Sequence, residues 1–319
     1  MLIISANPCF DATFWVPDLI PGSVIRSIKN TYTPGSKGIN VARVRKIMGV
    51  TETRLAVMVP EIEGQLFKEL LDKEELNANY LDIAGTVRQA ILINKEGTSD
   101  STVLVGKSSE LSNADWNRFC TFIKDLIKPG ELVTLMGSLP INSPKNGLEQ
   151  IANIVHELGA AFLVDTSPAS MKTHGSSVLD IISPNLDEAE SLINSSSNAI
   201  SSSDGPKIKE RALLAAEKLQ GKVAKIALVT AGEHGVAVKS DTEHFFIEAY
   251  ALSKAQFKSS VGAGDSFVAG FSIQYEKDKA DINSAIKFGM ACAAAQCETY
   301  EPGNLVRARA LEIFEKGHA

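Results

Sequence analysis

The 319-residue chain is 44% hydrophobic and 22% charged, the balance of a soluble globular protein long enough to bury a sizeable core. A net charge of −6 excludes the basic footprint of a nucleic-acid binder, and no apolar run reaches membrane-spanning length. Cys9, Cys120, Cys292 and Cys297 form no Cys-x-x-Cys pair and read as small buried apolar residues in a reducing, cytoplasmic compartment.

The first eight residues lack the basic start and apolar stretch of a signal peptide; residues 2–6 read as a strand that stops at Asn7-Pro8. Asp11 follows, and by itself is a turn aspartate. Residues 13–33 mix Phe14, Trp15, Val16, Val24 and Ile28 with Pro and Gly, predicting short strands off the main sheet. The loop Pro34-Gly35-Ser36-Lys37-Gly38 runs into a helix whose Val41, Val44 and Met48 share a face, with Gly49 closing it. A positive φ at Ser36 would cost strain; otherwise its hydroxyl adds a contact. A strand over 55–59 and a helix over 65–75 come next. Two strands, 87–93 and 102–105, are joined around Asn94-Lys95-Glu96-Gly97. Gly106-Lys107-Ser108 imitates the end of a Walker A loop, but Ser101 stands where that loop needs its first glycine.

Ser112-Asn113-Ala114-Asp115 has capping-box spacing before a helix bearing Trp116, Phe119, Cys120 and Ile123, which Pro129-Gly130 ends. A buried strand over 132–136 stops at Gly137-Ser138-Leu139-Pro140; a helix over about 145–158 and a strand over 162–165 repeat the rhythm. A strand ending at Ser183-Pro184-Asn185 leads into a helix with Glu188 in its first turn, where the carboxylate at the least complements the helix dipole. Residues 195–205 are serine-rich and read as a surface loop, followed by a helix over about 208–219. Strand 226–230, the turn Ala231-Gly232-Glu233-His234-Gly235 and strand 236–238 offer a false dinucleotide fingerprint, since the turn leads into a strand.

The most informative stretch is Ser260-Val261-Gly262-Ala263-Gly264-Asp265, opening a helix on which Phe267, Val268, Phe271 and Tyr275 recur at helical spacing. Small residues at a helix start leave backbone N–H groups unshielded, and with the dipole they make an anion site. A carboxylate beside a bound phosphate is suited to taking a proton from an attacking hydroxyl. The chain then reads as helical to its end. No metal-ligand pattern of transition-metal type is present.

The glycine loops at 34–38 and 260–265 together resemble the paired signatures of the PfkB (ribokinase-like) carbohydrate kinases, and the resemblance extends over nearly the whole chain. It implies an α/β, three-layer fold: a mostly parallel sheet with helices on both faces plus a small β-sheet lid. It further implies one domain over 1–319, with the lid formed by about 10–34 and 86–106. The Asn-Pro-x-x-Asp at 7–11 and Arg88 are similar to the hexose-phosphate branch, which includes tagatose-6-phosphate kinase and 1-phosphofructokinase. The implied reaction is transfer of the γ-phosphoryl group of ATP, with Mg²⁺, to a hydroxyl of a ketohexose phosphate. Asp265 is then the base, with Gly262, Ala263 and Gly264 as the loop that stabilises the transferring group. Asp11, Lys37, Gly38, Asn40, Arg88 and Ser138 are the implied substrate contacts. Asn185, Thr230, Gly232, Gly235 and Gly264 face the nucleotide, and Glu188 organises the metal. Arg26 and Lys107 stay open as further phosphate partners. Ser36 departs from the family's second glycine, and Ser101 from a nearby glutamate. Pairing of lids into a homodimer is also implied, with neither nucleic acid nor membrane as partner. The alternatives are action on another sugar or a nucleoside, or a sugar-phosphate sensor without turnover, against which the intact Asp265, Asn185 and Glu188 weigh.

Overall fold

Alternating apolar strands and amphipathic helices build a layered α/β structure, seen in a computed structural model that describes residues 1–97, 101–172, 179–193 and 205–317. In chain order the elements begin β1 (Leu2–Ser5), β2 (Cys9–Val16), β3 (Lys29–Gly35), α1 (Lys37–Ile47), β4 (Arg54–Ile62), α2 (Gly64–Asp72) and β5 (Asn77–Thr86). Next come β6 (Arg88–Lys95), β7 (Ser101–Val105), α3 (Asn113–Leu126), β8 (Leu132–Met136), α4 (Gly147–Glu157), β9 (Ala161–Asp165), α5 (Pro168–Lys172) and β10 (Leu179–Ile182). The last are α6 (Leu186–Ile193), α7 (Gly205–Leu219), β11 (Ala224–Thr230), β12 (Gly235–Lys239), β13 (His244–Glu248), α8 (Ala263–Lys277), α9 (Ile282–Cys297) and α10 (Arg307–Lys316). The serine-rich stretch expected as a loop over 195–205 lies outside the described residues except for Gly205, which opens α7.

The large sheet has the order β13-β12-β11-β10-β9-β8-β1-β4-β5. From β11 to β5 every pairing is parallel; β12 and β13 close that edge as an antiparallel pair. Side chains alternate across a strand, so both faces of a buried parallel sheet must be apolar. Accordingly Ile3, Leu55 and Val57 join Ile39, Phe67, Phe271 and Ile286 in one core, while Leu2, Ile4 and Ala56 join Phe119, Ile151 and Ala216 in the other.

Two strands escape the sequence reading. β5 carries Asn77, Asn79, Asp82 and Gly85, residues poor in β propensity, and owes its conformation to pairing with β4 at the sheet edge. β13 follows a turn closed by Ser240 Oγ, which accepts from Thr242 N and Glu243 N without a Gly or Asn-Gly signal. The carboxyl-terminal part is helical as expected, in three helices, α8, α9 and α10, joined by segments 278–281 and 298–306.

A second sheet, ordered β3-β2-β6-β7, stands apart from the first. Its register sets Thr33, Asp11, Ala90 and Val105 in one row and Thr31, Thr13, Leu92 and Val103 in the next. That face therefore grades from polar on β3 and β2 to apolar on β6 and β7. β7 is exposed along its whole length.

Helix α8 packs on α9 with backbones touching. A Cβ added at Gly270 would lie 2.8 Å from Gly289 Cα and 2.8 Å from Phe288 O. α8 is tied to α1 by the buried Arg45, which donates to Thr53 Oγ1 (2.8 Å), Ser272 Oγ (2.7 Å) and Glu276 Oε2 (2.6 Å). Removing one member of such a buried charge network leaves the others unpaired. Gly270→Ala forces backbone atoms apart and is expected to cost about 1–3 kcal/mol, the usual range for overpacking, read as a lower urea midpoint at unchanged slope.

Candidate active site

The amino-terminal ends of α1 and α8 meet beneath the second sheet and bound a cleft of about 680 Å³. Ser36 caps α1: its backbone is extended (φ 178°), so serine costs no strain, and its Oγ accepts from Ile39 N (3.0 Å) and from Ser5 Oγ (2.7 Å). Gly38 is buried against β1 and β8, where a Cβ would meet Ile3 Cγ2 at 3.1 Å and Ser5 Cβ at 3.2 Å. The missing side chain lets α1 sit close enough to the sheet to aim Lys37 and Asn40 into the cleft.

The start of α8 carries two glycines, of which the fold requires the first. Gly262 has φ +82°, and a Cβ there would lie 2.9 Å from Pro302 Cβ. A Cβ on Gly264 would meet nothing within 4 Å, so that position opens onto space above the helix end. Of the three N–H groups in the expected anion site, that of Ala263 donates to Ser260 O (3.1 Å). Those of Gly264 and Asp265 have no acceptor among the described residues. Two unclaimed donors at a positive helix end form an anion cradle.

Asp265 is buried at this cradle and still lines the cleft. Its Oδ2 accepts from Asn40 Nδ2 (2.8 Å), and Oδ1 has no partner among the described residues. Burial pushes its carboxyl up to about 7; Lys37 and the Asn40 hydrogen bond pull the other way, and Asp165 and Asp11 add to the rise. A base that titrates near neutrality suits general-base work. Lys37 Nζ donates to Asp165 Oδ1 (2.7 Å) at the end of β9. Burial opposes its charge, but the Asp165 and Asp265 carboxylates outweigh burial and hold the ammonium above its ordinary range.

Asp11 sits over Gly35, where a Cβ would fall 2.1 Å from Asp11 Oδ2; glycine at 35 is the condition for the carboxylate to be there. Burial raises its carboxyl, against the Cys9 hydrogen bond and the guanidinium groups of Arg43 and Arg88. Arg88 lines the cleft, donates one bond to Asn7 O (2.9 Å) and keeps a buried Nε without a partner. Arg26 is exposed, and Lys107 is exposed and paired with Glu110 (2.9 Å).

The remaining expected residues lie outside that cleft's lining. Ser138 Oγ accepts from Asn7 Nδ2 (3.0 Å) at the end of β8. Asn185 and Glu188 cap each other across the start of α6: Glu188 N donates to Asn185 Oδ1 (2.9 Å) and Asn185 N to Glu188 Oε2 (3.0 Å). Thr230 is bridged to Asn185. Gly232 (φ +55°) faces open space, whereas a Cβ at Gly235 would strike Ile247 O at 2.0 Å, so that glycine serves the β12–β13 pairing.

Sequence reasoning missed Asp165, Arg43 and the segment 301–304, all next to the chemistry. Asp165 carried a usable signal, a carboxylate at the carboxyl end of a parallel strand, where ligands bind in open α/β sheets. Arg43 lies one helical turn after Asn40. Segment 301–304 reaches the cleft through packing of Pro302 on Gly262 and of Gly303 on Asn40.

Comparison with known proteins adds an independent line. The profile of the pfkB family carbohydrate kinases matches residues 5–309. The chain is 26% identical over 300 residues to a 1-phosphofructokinase of Bacillus subtilis (strain 168), covering 94% of this chain and 93% of that one. Phosphofructokinase-2 of Escherichia coli, solved with potassium, superposes with a TM-score of 0.88 at 19% identity, over 100% of this chain and 99% of that one. A ribokinase of Thermotoga maritima superposes at 0.72 with 17% identity, over 98% and 99% of the two chains. The fold is ribokinase-like.

The raised carboxyl has a thermodynamic signature. Above pH 7 the folded protein carries a buried ionised Asp265, whereas the unfolded chain ionises near its ordinary value; stability therefore falls as pH rises from about 4 to 7. Asp265→Asn removes that penalty. It should raise Tm most at pH 8, with the gain shrinking as pH is lowered through 7 toward 4, measured by thermal unfolding of both proteins across that range.

Proposed function

The chain belongs to the pfkB family of carbohydrate kinases, and on that premise we propose that it transfers the γ-phosphoryl group of ATP to a hydroxyl of a phosphorylated ketohexose, giving a bisphosphate. The observation that carries the reading is Asp265: titrating near 7, anchored on one oxygen by Asn40, free on the other, and placed at two unclaimed N–H donors. Fructose 1-phosphate and tagatose 6-phosphate are the acceptors of choice, and the Bacillus relative supports assaying the former first.

In this mechanism Asp265 Oδ1 takes the proton of the attacking hydroxyl. The N–H groups of Gly264 and Asp265 hold the transferring phosphoryl group, and the open space over Gly264 is the room it needs. Lys37, kept charged by Asp165, adds positive charge to the same place. Asp11 and Asn40 bind sugar hydroxyls, with the backbone at Gly38 and the Ser138 hydroxyl as further substrate contacts. Arg88 takes the phosphate already on the sugar. Its buried, unpartnered Nε and its lack of a carboxylate partner in the ion pairs of the described residues support it over Lys107 and Arg26.

Asn185, Thr230, Gly232 and Gly235 line the path of the nucleotide. Glu188, whose Oε1 has no partner among the described residues, would help hold the Mg²⁺ that arrives with ATP. No group of three or more His, Cys, Asp or Glu among the described residues is arranged to hold a metal by itself, which suits an ion that arrives with the nucleotide. When bound, Mg²⁺ neutralises charge on the phosphates.

We assign the whole of 1–319 to one domain and the second sheet to a lid built from about 10–34 and 86–106, closing over the sugar to exclude water. The exposed apolar edge at β7 suits pairing with a second copy into a homodimer. No helix of the described residues is long and apolar enough to cross a membrane, and the free cysteines suit a cytoplasmic setting.

ADP release with Mg-ATP over fructose 1-phosphate, tagatose 6-phosphate, fructose 6-phosphate, fructose and ribose tests the assignment. Turnover is expected on one phosphorylated ketohexose, and Asp265→Asn should lower kcat by about 10²–10⁴ with little change in KM, the span of a general-base contribution. Turnover on unphosphorylated sugars alone would redirect the substrate class. Ligand-induced thermal shifts with no ADP from any sugar would identify a sensor.

A further inference from the structure

Arg43 lines the cleft, but its guanidinium is already committed. Nε and Nη2 each donate to the Glu74 carboxylate at 2.6 Å, and Nη2 also donates to Pro34 O (2.5 Å). Nη1 donates to Asn40 Oδ1 (3.1 Å). Four of its five N–H donors are thereby used within the protein, and its charge is matched by a forked carboxylate. That is the profile of a fixed strut, unlike Arg88 beside it.

The contact with Asn40 has a logical consequence. An arginine only donates, so the Asn40 atom facing it must be the oxygen. The amide nitrogen then necessarily points the other way, onto Asp265 Oδ2 at 2.8 Å. The two ends of the Asn40 amide are otherwise close in shape, and rotation by half a turn would set its carbonyl against the carboxylate. Segment 301–304 closes the remaining side: a Cβ at Gly303 would fall 3.0 Å from Asn40 Cα and 3.3 Å from Arg43 Cδ.

We propose that Arg43, held by Glu74 and Pro34, is a positioning residue that locks the Asn40 amide with its NH₂ group toward Asp265, so that the catalytic carboxylate keeps Oδ1 free for the substrate hydroxyl. The line Glu74–Arg43–Asn40–Asp265 joins the segment after α2 to the start of α8 through a single helical turn of α1. The other charged groups about Asp265 are Lys37 on α1, Asp165 on β9 and Asp11 on β2, with Glu301 across the cleft. None of them constrains the Asn40 amide by a hydrogen bond among the described residues.

The inference rests on Asp265 being the base of the kinase proposed above, and its test separates the two. Arg43→Met keeps an unbranched apolar stem as far as the position of Nε and removes every donor. The Asp265 carboxyl is followed by ¹³C NMR in the ligand-free protein, with Asp265→Asn identifying the signal; no turnover is required. Its midpoint, about 7 in the unaltered protein, is expected to rise by about one unit or more, because an unlocked amide is free to turn its oxygen to the protonated carboxyl, which donates to it, and the bond that favoured the ionised form is lost. In the enzyme assay kcat at pH 7 should fall about fivefold or more and largely recover at pH 9, with KM for the sugar phosphate within about threefold. An unchanged midpoint overturns the proposal. So does a rise in KM that exceeds the loss in kcat, which would make Arg43 a direct phosphate ligand. If Arg43→Met does not fold, Glu74→Gln, which preserves shape and removes the carboxylate, should move the midpoint in the same direction; no movement there also overturns it.

Discussion

Everything in the cleft depends on keeping one carboxylate, that of Asp265, inside the protein where water is scarce. A buried carboxylate without partners is expensive, and three groups from two elements offset the cost: Asn40 of α1 by a hydrogen bond, Lys37 of α1 by charge, and α8 by its own positive end. None of these acts unless α1 and α8 lie with their amino-terminal ends together. Arg45 fixes that arrangement from below, through Ser272 and Glu276, one helical stretch away from the chemistry. The packing of two helices and the setting of one buried carboxylate are thus the same structural fact seen at two distances.

The glycines divide by what they make possible. Gly35 makes room for a side chain, that of Asp11. Gly38 and Gly270 make room for backbone and element packing, and Gly264 makes room for something outside the protein. Only the last leaves empty space, and it does so at a helix start with two unclaimed N–H donors. The same reasoning separates the cleft's two arginines. One has spent its donors on its neighbours and the other has not, and only the second is available to a guest.

Much of this was legible in the sequence because its signals are local. The glycine loops, the first-turn Asp265 and the apolar strands each announce themselves within ten residues, and the α/β alternation follows from them. Ser36 illustrates where local reading stops. Its residue type left strain and hydroxyl contact equally open, and only the extended backbone and the bond to Ile39 N decide between them. Asp165, Arg43 and segment 301–304 were passed over as site residues because contacts set their roles: Asp165 and 301–304 meet Lys37 and Gly262 across long stretches of chain, and the one-turn spacing of Arg43 from Asn40 says nothing of Glu74 and Pro34, which orient it. β5 was missed for a related reason: its residues disfavour a strand, and its neighbour β4 imposes one. The reciprocal caps of Asn185 and Glu188 combine both kinds of information, a local motif whose geometry is that of a helix start and whose setting is the carboxyl edge of the sheet.

β7 carries a consequence for the protein as a material. Its five residues, Ser-Thr-Val-Leu-Val, present a free row of backbone donors and acceptors flanked by Val103, Leu104 and Val105, each about half exposed or more (49%, 55% and 62%). Such an edge contains no proline or charge to discourage addition of another strand. An edge of this composition is the kind to which a further strand adds, and strand addition is not selective for the partner that supplies it. The feature that suits the small sheet to assembly is thereby also one that ties its solution behaviour to concentration.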